Sequence, residues 1–175
     1  MDMMSHEDAL ELLERERVAP NVVRHSLLVN RIANYIAEEL VDIGVNVDLE
    51  LVDIGSLLHD VGRGRDHKNH SAIGVEILKE LGEEDVSRII GVHGVKCFDE
   101  SMSIEEKIVN YADKRVRHDE LVSFDDRMED IVERYPHAAE VVKDVFPKYK
   151  EFESEVFGII GMDKVGLERL KRWFC

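Results

Sequence analysis

Only two cysteines, Cys97 and Cys175, occur in 175 residues, far apart and outside any Cys-x-x-Cys spacing. That excludes a disulfide framework and a thiolate zinc site as organising devices. No apolar run approaches the ~20 residues needed to cross a bilayer. The opening Met1-Asp2-Met3-Met4-Ser5-His6-Glu7 also lacks the basic and apolar regions of a signal peptide. A cytoplasmic chain with no membrane partner is the expectation. Basic charge is in deficit as well, with 23 Lys and Arg against 38 Asp and Glu, a formal net charge of -15. Nucleic-acid binding rests on phosphate contacts from Lys and Arg, so long nucleic acid is not an expected partner. A small phosphorylated substrate is compatible with the charge, because a bound divalent cation reverses the local field even in an acidic protein. Sustained period-2 alternation is missing too, which argues against a sheet.

What is present is apolar character at helical spacing almost everywhere. With 44% apolar residues the chain can bury one sizeable core, and its length makes a second domain unexpected. An all-α single domain over 1–175 follows, with a core over 20–118 and a helical extension over 119–175 packed on it. The spacing predicts helices over 5–17, 21–42, 48–61, 70–81, 83–93, 103–118, 123–134 and 136–157, and a short last one near 163–173. Ser103 with Glu106 reads as a capping box, Ser123 with Asp126 is similar, and Asp48 is a candidate N-cap. Gly62 and Gly82 read as helix stops in the left-handed conformation. Pro147 is expected to kink or split the long C-terminal helix. The polar stretch Gly62-Arg63-Gly64-Arg65-Asp66-His67-Lys68-Asn69 is the one obvious functional loop.

Several polar groups fall on faces that ought to be apolar. His25 lies three residues after Val22 and four before Val29 on the stripe that continues through Ile32, Ile36 and Leu40. His93 ends the stripe of Val86, Ile89 and Ile90. Asp113 follows Val109 by four and precedes Val116 by three. His59-Asp60 closes a segment that is apolar on most sides, through Leu51, Val52, Ile54, Leu57, Leu58 and Val61. A buried polar group without a partner costs roughly 1–3 kcal/mol, and an unpaired carboxylate far more. Imidazoles and carboxylates turned inward from four helices therefore call for a shared partner. The simplest is a divalent transition metal, iron, manganese, cobalt, nickel or zinc, with magnesium a further candidate. The competing reading is a set of ordinary hydrogen-bonded core histidines.

His25-Ser26-x-x-Val29, His59-Asp60-Val61-Gly62, His70-Ser71-x-x-Gly74, His93 and Tyr111-Ala112-Asp113-Lys114 together resemble, in order and spacing, the HD superfamily of metal-dependent phosphohydrolases. The resemblance spans about residues 20–118. It implies a first metal held by His25, His59, Asp60 and Asp113, and a second held by Asp60, His70 and His93, with Asp60 as bridge. His70 enters on the resemblance, whereas the other five ligands were singled out by their faces. Gly74, one turn beyond His70, is either a site of close approach or a tolerated small residue in a packed helix. His67 could be a ligand, a substrate contact or a solvated loop residue, the last being favoured; His6, His118 and His137 read as surface residues.

Where many relatives have lysine after the glycine, this chain has Arg63, followed by Gly64 and Arg65. Arginine offers a planar fork suited to phosphate. Arg63, Arg65 and Lys114 are thus the expected substrate contacts, or else ordinary solvated charges; Asp60, Arg63 and Lys114 are the expected catalytic set. The implied reaction is hydrolysis of a phosphomonoester or phosphodiester, with a nucleotide as leading substrate, by hydroxide formed on one or two ions. Two other readings share the ligand set: a di-iron oxygenase and a nucleotide-sensing module without turnover. The acidic helices after residue 118 are most simply a solvated face, a cap or homodimer surface being the alternatives.

Overall fold

The computed structural model describes residues 3–161, so the helix expected near 163–173 lies outside the described residues. The chain forms α1 (His6–Arg15), α2 (Pro20–Asp42), α3 (Leu49–Leu58), α4 (His70–Glu80), α5 (Glu84–Gly91), α6 (Ile104–Asp113), α7 (Phe124–Arg134) and α8 (Ala139–Ile159). Short 3-10 turns join several of them. No described helix is long and apolar enough to cross a membrane.

Local chemistry sets the helix starts. Ser5 with Asp8 and Ser103 with Glu106 form reciprocal capping boxes, so two orphan N–H groups are satisfied at α1 and at α6. Asp48 caps α3 and Ser123 caps α7, each accepting from the backbone N–H three residues on. Pro20 opens α2, where its missing N–H costs nothing. Gly82 stops the chain after α4 with φ +83°.

Two apolar clusters make the core. One joins α1, α3, α4 and α5 through residues such as Leu12, Leu57, Leu78 and Ile90. The other joins α2 to α6, α7 and α8 through Ile32, Ile36, Tyr111, Phe124 and Tyr149. Helix α3 packs on α1, α2, α5 and α6, which is why nearly all of its surface is apolar. The C-terminal helices are held on α6 by polar bonds as well. Tyr111 donates to Glu153 (2.6 Å), Arg115 donates to the Tyr111 hydroxyl (2.6 Å), and Tyr149 donates to Asn110.

Four expectations need correction. The segment 103–118 is not one helix: α6 stops at Asp113, and Val116–Arg117 pairs antiparallel with Glu120–Leu121, Val116 opposite Leu121. The cause lies in Arg115, whose side chain donates to the Val122 carbonyl while its own carbonyl accepts from the Val122 N–H, drawing the chain back on itself. Helices α3 and α5 end earlier than periodicity suggests, leaving His59, Asp60 and His93 beyond their last turns. Pro147 does not split the C-terminal helix: α8 runs from Ala139 to Ile159 through it, with Val142, Val145, Tyr149, Phe152 and Val156 buried on either side. Gly62 is not a left-handed stop. It is buried, and a Cβ there would lie 2.0 Å from the His70 carbonyl oxygen.

Candidate metal centre

His59 is the C-cap just past the end of α3, and the chain then folds into the 3-10 turn Val61–Gly64. That turn packs directly on the start of α4, which only glycine at 62 permits. Gly74, one turn into α4, continues the close approach, since a Cβ there would meet Ile90 at 3.1 Å and Val61 at 3.4 Å. Asp60, His70 and His93 are thereby drawn together. From the other side α2 supplies His25 and the end of α6 supplies Asp113.

Two groups of ligand atoms result, each lying within 4.8 Å: His25, His59 and Asp60, and Asp60, His70 and His93. Asp60 belongs to both. Asp113 adjoins the first, its Oδ1 standing 3.0 Å from His25 Nε2 and 3.6 Å from His59 Nε2. In the second, His70 Nε2 is 3.2 Å from Asp60 Oδ1 and 3.2 Å from His93 Nε2.

The other ring nitrogens decide the chemistry. His59 Nδ1 donates to the Ser56 carbonyl (2.7 Å), His70 Nδ1 to the His67 carbonyl (2.9 Å) and His93 Nδ1 to the Ile90 carbonyl (2.6 Å). His25 Nδ1 donates to the carbonyl of His118 (2.7 Å). A carbonyl can only accept, so each Nδ1 carries the proton, and in a neutral ring Nε2 is a bare lone pair. Four such nitrogens converge on two carboxylates. His59 Nε2 is fully buried with no hydrogen-bond partner. Acceptors facing acceptors in a buried space repel unless a cation lies among them, and outward carbonyls that fix the inner nitrogen as a lone pair are what metal-binding histidines use. The residues present therefore fit one or two divalent ions. The donor set of imidazole and carboxylate suits the first-row transition metals.

Electrostatics favour the metal-binding forms of His70, His93, Asp60 and Asp113, and pull His59 the other way. Burial and the neighbouring His59 push His93 down to about 4. Burial also lowers His70, against the pull of Asp60. Burial alone would raise Asp60, but His59 and Arg63 hold it down to about 2. Burial would raise Asp113, but Lys114 and the adjoining His25 and His59 hold it well below the usual carboxylate range. His59 is raised, since Asp60 and Asp113 overcome its burial.

The positively charged candidates divide. Arg63 Nε lies 2.6 Å from Asp60 Oδ2 without being aimed at it for a hydrogen bond, and its side chain is partly open to solvent. Lys114 is buried, its ammonium held by Asp113 and by the His93 carbonyl (3.0 Å). Arg65 is not brought to the cluster; it forks onto Glu16 at 2.6 and 3.0 Å. Nothing in its spacing reveals that, because α1 is remote in sequence. Sequence reasoning also missed His118, whose backbone orients His25, and the carbonyls of Ser56, His67 and Ile90. The last three were open to discovery, being each three residues before a histidine at a helix terminus.

Residues 22–117 match the HD domain family. The chain is 34% identical over 139 residues to an uncharacterised protein of Methanocaldococcus jannaschii, covering 70% of this chain and 82% of that one. It is 38% identical over 117 residues to ribonuclease Y of Thermosipho melanesiensis, covering 62% of this chain and 21% of that protein. It is 28% identical over 173 residues to the tRNA (cytidine(56)-2'-O)-methyltransferase of Picrophilus torridus, covering 90% of this chain and 48% of that protein. The similarity thus spans about a fifth of the ribonuclease and about half of the methyltransferase. No solved structure matches the chain significantly. The match over residues 22–117, with the His and Asp groups found within it, means that the chain belongs to the HD domain family, whose members are in general metal-dependent hydrolases.

Proposed function

We propose that this protein hydrolyses a small phosphorylated substrate, with a nucleotide as the leading class, at a centre where His25, His59, Asp60 and Asp113 hold one divalent ion and Asp60, His70 and His93 a second. The observation that carries the reading is the set of four backbone carbonyls on the four Nδ1 atoms, which in neutral rings leaves four Nε2 lone pairs turned toward two carboxylates. Bound divalent ions supply Lewis acidity and water that ionises near neutral pH. Asp60, shared by both groups, sets the relation between the two pockets. The guanidinium of Arg63, beside Asp60 and partly open, offsets charge on the phosphoryl oxygens. Lys114 stands behind Asp113 and keeps it ionised. Arg65 could reach a substrate only by releasing Glu16, so Arg63 carries the phosphate contact.

A second reading, cleavage of RNA phosphodiesters, draws on the likeness to part of ribonuclease Y. The net charge of -15 weighs against it. Metal analysis of purified protein, joined to a panel of nucleoside mono- and triphosphates, cyclic nucleotides and an RNA oligonucleotide assayed with Mn(II), tests both. Mononucleotide turnover abolished by Asp60→Ala is the expected result. Turnover of the oligonucleotide alone selects the second reading, and a protein that neither retains metal nor hydrolyses any phosphate ester sinks the proposal.

A further inference from the structure

Three of the four histidines, each at or just beyond a helix terminus, take their Nδ1 acceptor from the carbonyl three residues earlier. His25 cannot, because it sits inside α2, where the carbonyls of the preceding turn are spent on the helix. Its acceptor is instead the carbonyl of His118, 93 residues away. That carbonyl is offered by the two-residue turn of the hairpin, His118-Asp119, between Val116–Arg117 and Glu120–Leu121.

The turn is held in place with unusual care for so short an element. His118 has φ +59°, a left-handed backbone that favours glycine and is uncommon for a residue with a Cβ. Its ring accepts from Arg134 at the end of α7 (3.1 Å), and Arg134 is held in turn by Asp130 (2.8 Å). Asp119 accepts from Arg24, the neighbour of His25 on α2 (3.0 Å). The hairpin therefore grips α2 at two consecutive residues, once through its backbone and once through an ion pair.

We infer that the 116–121 hairpin is a positioning element for His25: it presents the His118 carbonyl, and Asp119 with Arg24 and Arg134 with His118 hold that carbonyl in register. It sets the ring's tautomer and direction, and so tunes the first metal pocket while leaving the second alone. This rests on the metal reading above for its consequence, though not for its geometry. It also gives the departure of residues 114–122 from the helical pattern a purpose, since a continuous α6 would have no carbonyl to offer.

The test uses the full chain and two variants that alter no proposed ligand: Arg24→Gln combined with Asp119→Asn, which frees the hairpin from α2, and His118→Gly, which removes the Arg134 contact while suiting the turn's φ. The first readout is the His25 tautomer in metal-free protein, from long-range proton–nitrogen NMR of the ring. In wild type Nδ1 is expected to carry a proton throughout, and in both variants only in part. The second is Mn(II) affinity by calorimetry, read for the first pocket in a His70→Gln background and for the second in a His25→Gln background. Expected is a loss of about tenfold or more in the first pocket, in line with removal of outer partners of metal ligands, and about twofold or less in the second. A hairpin that is only structural would shift the thermal midpoint and leave the tautomer alone. Unchanged tautomer and first-pocket affinity in both variants would overturn the inference. If wild type takes up no Mn(II), the metal reading fails, and the tautomer alone decides whether the hairpin positions His25.

Discussion

The two proposed metal pockets share Asp60 yet are built in opposite ways. The second draws Asp60, His70 and His93 from one continuous stretch, with each histidine's orientation supplied by its own helix end. The first gathers His25, His59 and Asp113 from three helices and needs the hairpin to orient His25. The difference teaches that one centre can combine a locally encoded half with a half that exists only once distant helices have packed. The second pocket depends on close backbone approach at Gly62 and Gly74, whereas the first depends on charge, with Asp113 between Lys114 and two histidines.

Changes at particular residues can break or sharpen that contrast. The largest effect is expected from Asp60→Ala, which removes the shared ligand. Metal content should fall in both pockets, with turnover lost by about a hundredfold or more, since even outer partners of ligands are worth 10–100-fold. Helical circular dichroism should change little; full metal retention would contradict the shared role. Next comes Gly62→Ala, where the added Cβ meets backbone rather than a side chain that can yield. Urea unfolding of the metal-free variant should show a loss of roughly 3 kcal/mol or more, at or above the usual range for overpacking. Gly74→Ala meets side-chain methyls of Ile90 and Val61 rather than backbone and should cost about 1 kcal/mol.

Acid should act through the second pocket. His93 takes up a proton at about 4 in the fold, and at about 6.5 in an unfolded chain. A depressed histidine favours the unfolded chain once pH drops below the unfolded value, so this group withdraws stability between about pH 6.5 and 4. His70, also lowered, adds in the same direction, while His59, raised, opposes. Unfolding free energies of metal-free protein, from urea titrations between pH 7 and 4.5, should fall further for wild type than for His93→Gln, by on the order of 2 kcal/mol. Equal slopes would count against a neutral, buried His93. The smallest effect separates the two arginines. Arg63→Gln should raise KM about tenfold or more, the worth of a hydrogen bond to a charged group. Arg65→Gln, which removes an exposed side chain turned away to Glu16, should leave KM within about twofold.

The inward positions of His25, His93 and Asp113 were legible because each interrupts an apolar stripe, and His59-Asp60 because it closes an apolar helix. The capping boxes and Asp48 were legible from chemistry within four residues. The end of α6 was not, since it depends on Arg115 meeting Val122 rather than on any helix breaker. Gly62 was misread because a glycine needed for close approach looks in sequence like one needed for a left-handed turn. Arg65 looked like a phosphate ligand because its partner, Glu16, lies 49 residues upstream.

By itself the sequence determined the helical periodicity, the helix starts and which polar groups had to turn inward, because all of these depend on neighbours within a turn or two. Tertiary structure alone decided that those groups meet in two clusters joined by Asp60, that the His118 carbonyl meets His25, and that Arg65 is diverted to Glu16. Contacts between residues tens of positions apart are fixed by how helices pack, and packing is a property of surfaces that no local pattern contains.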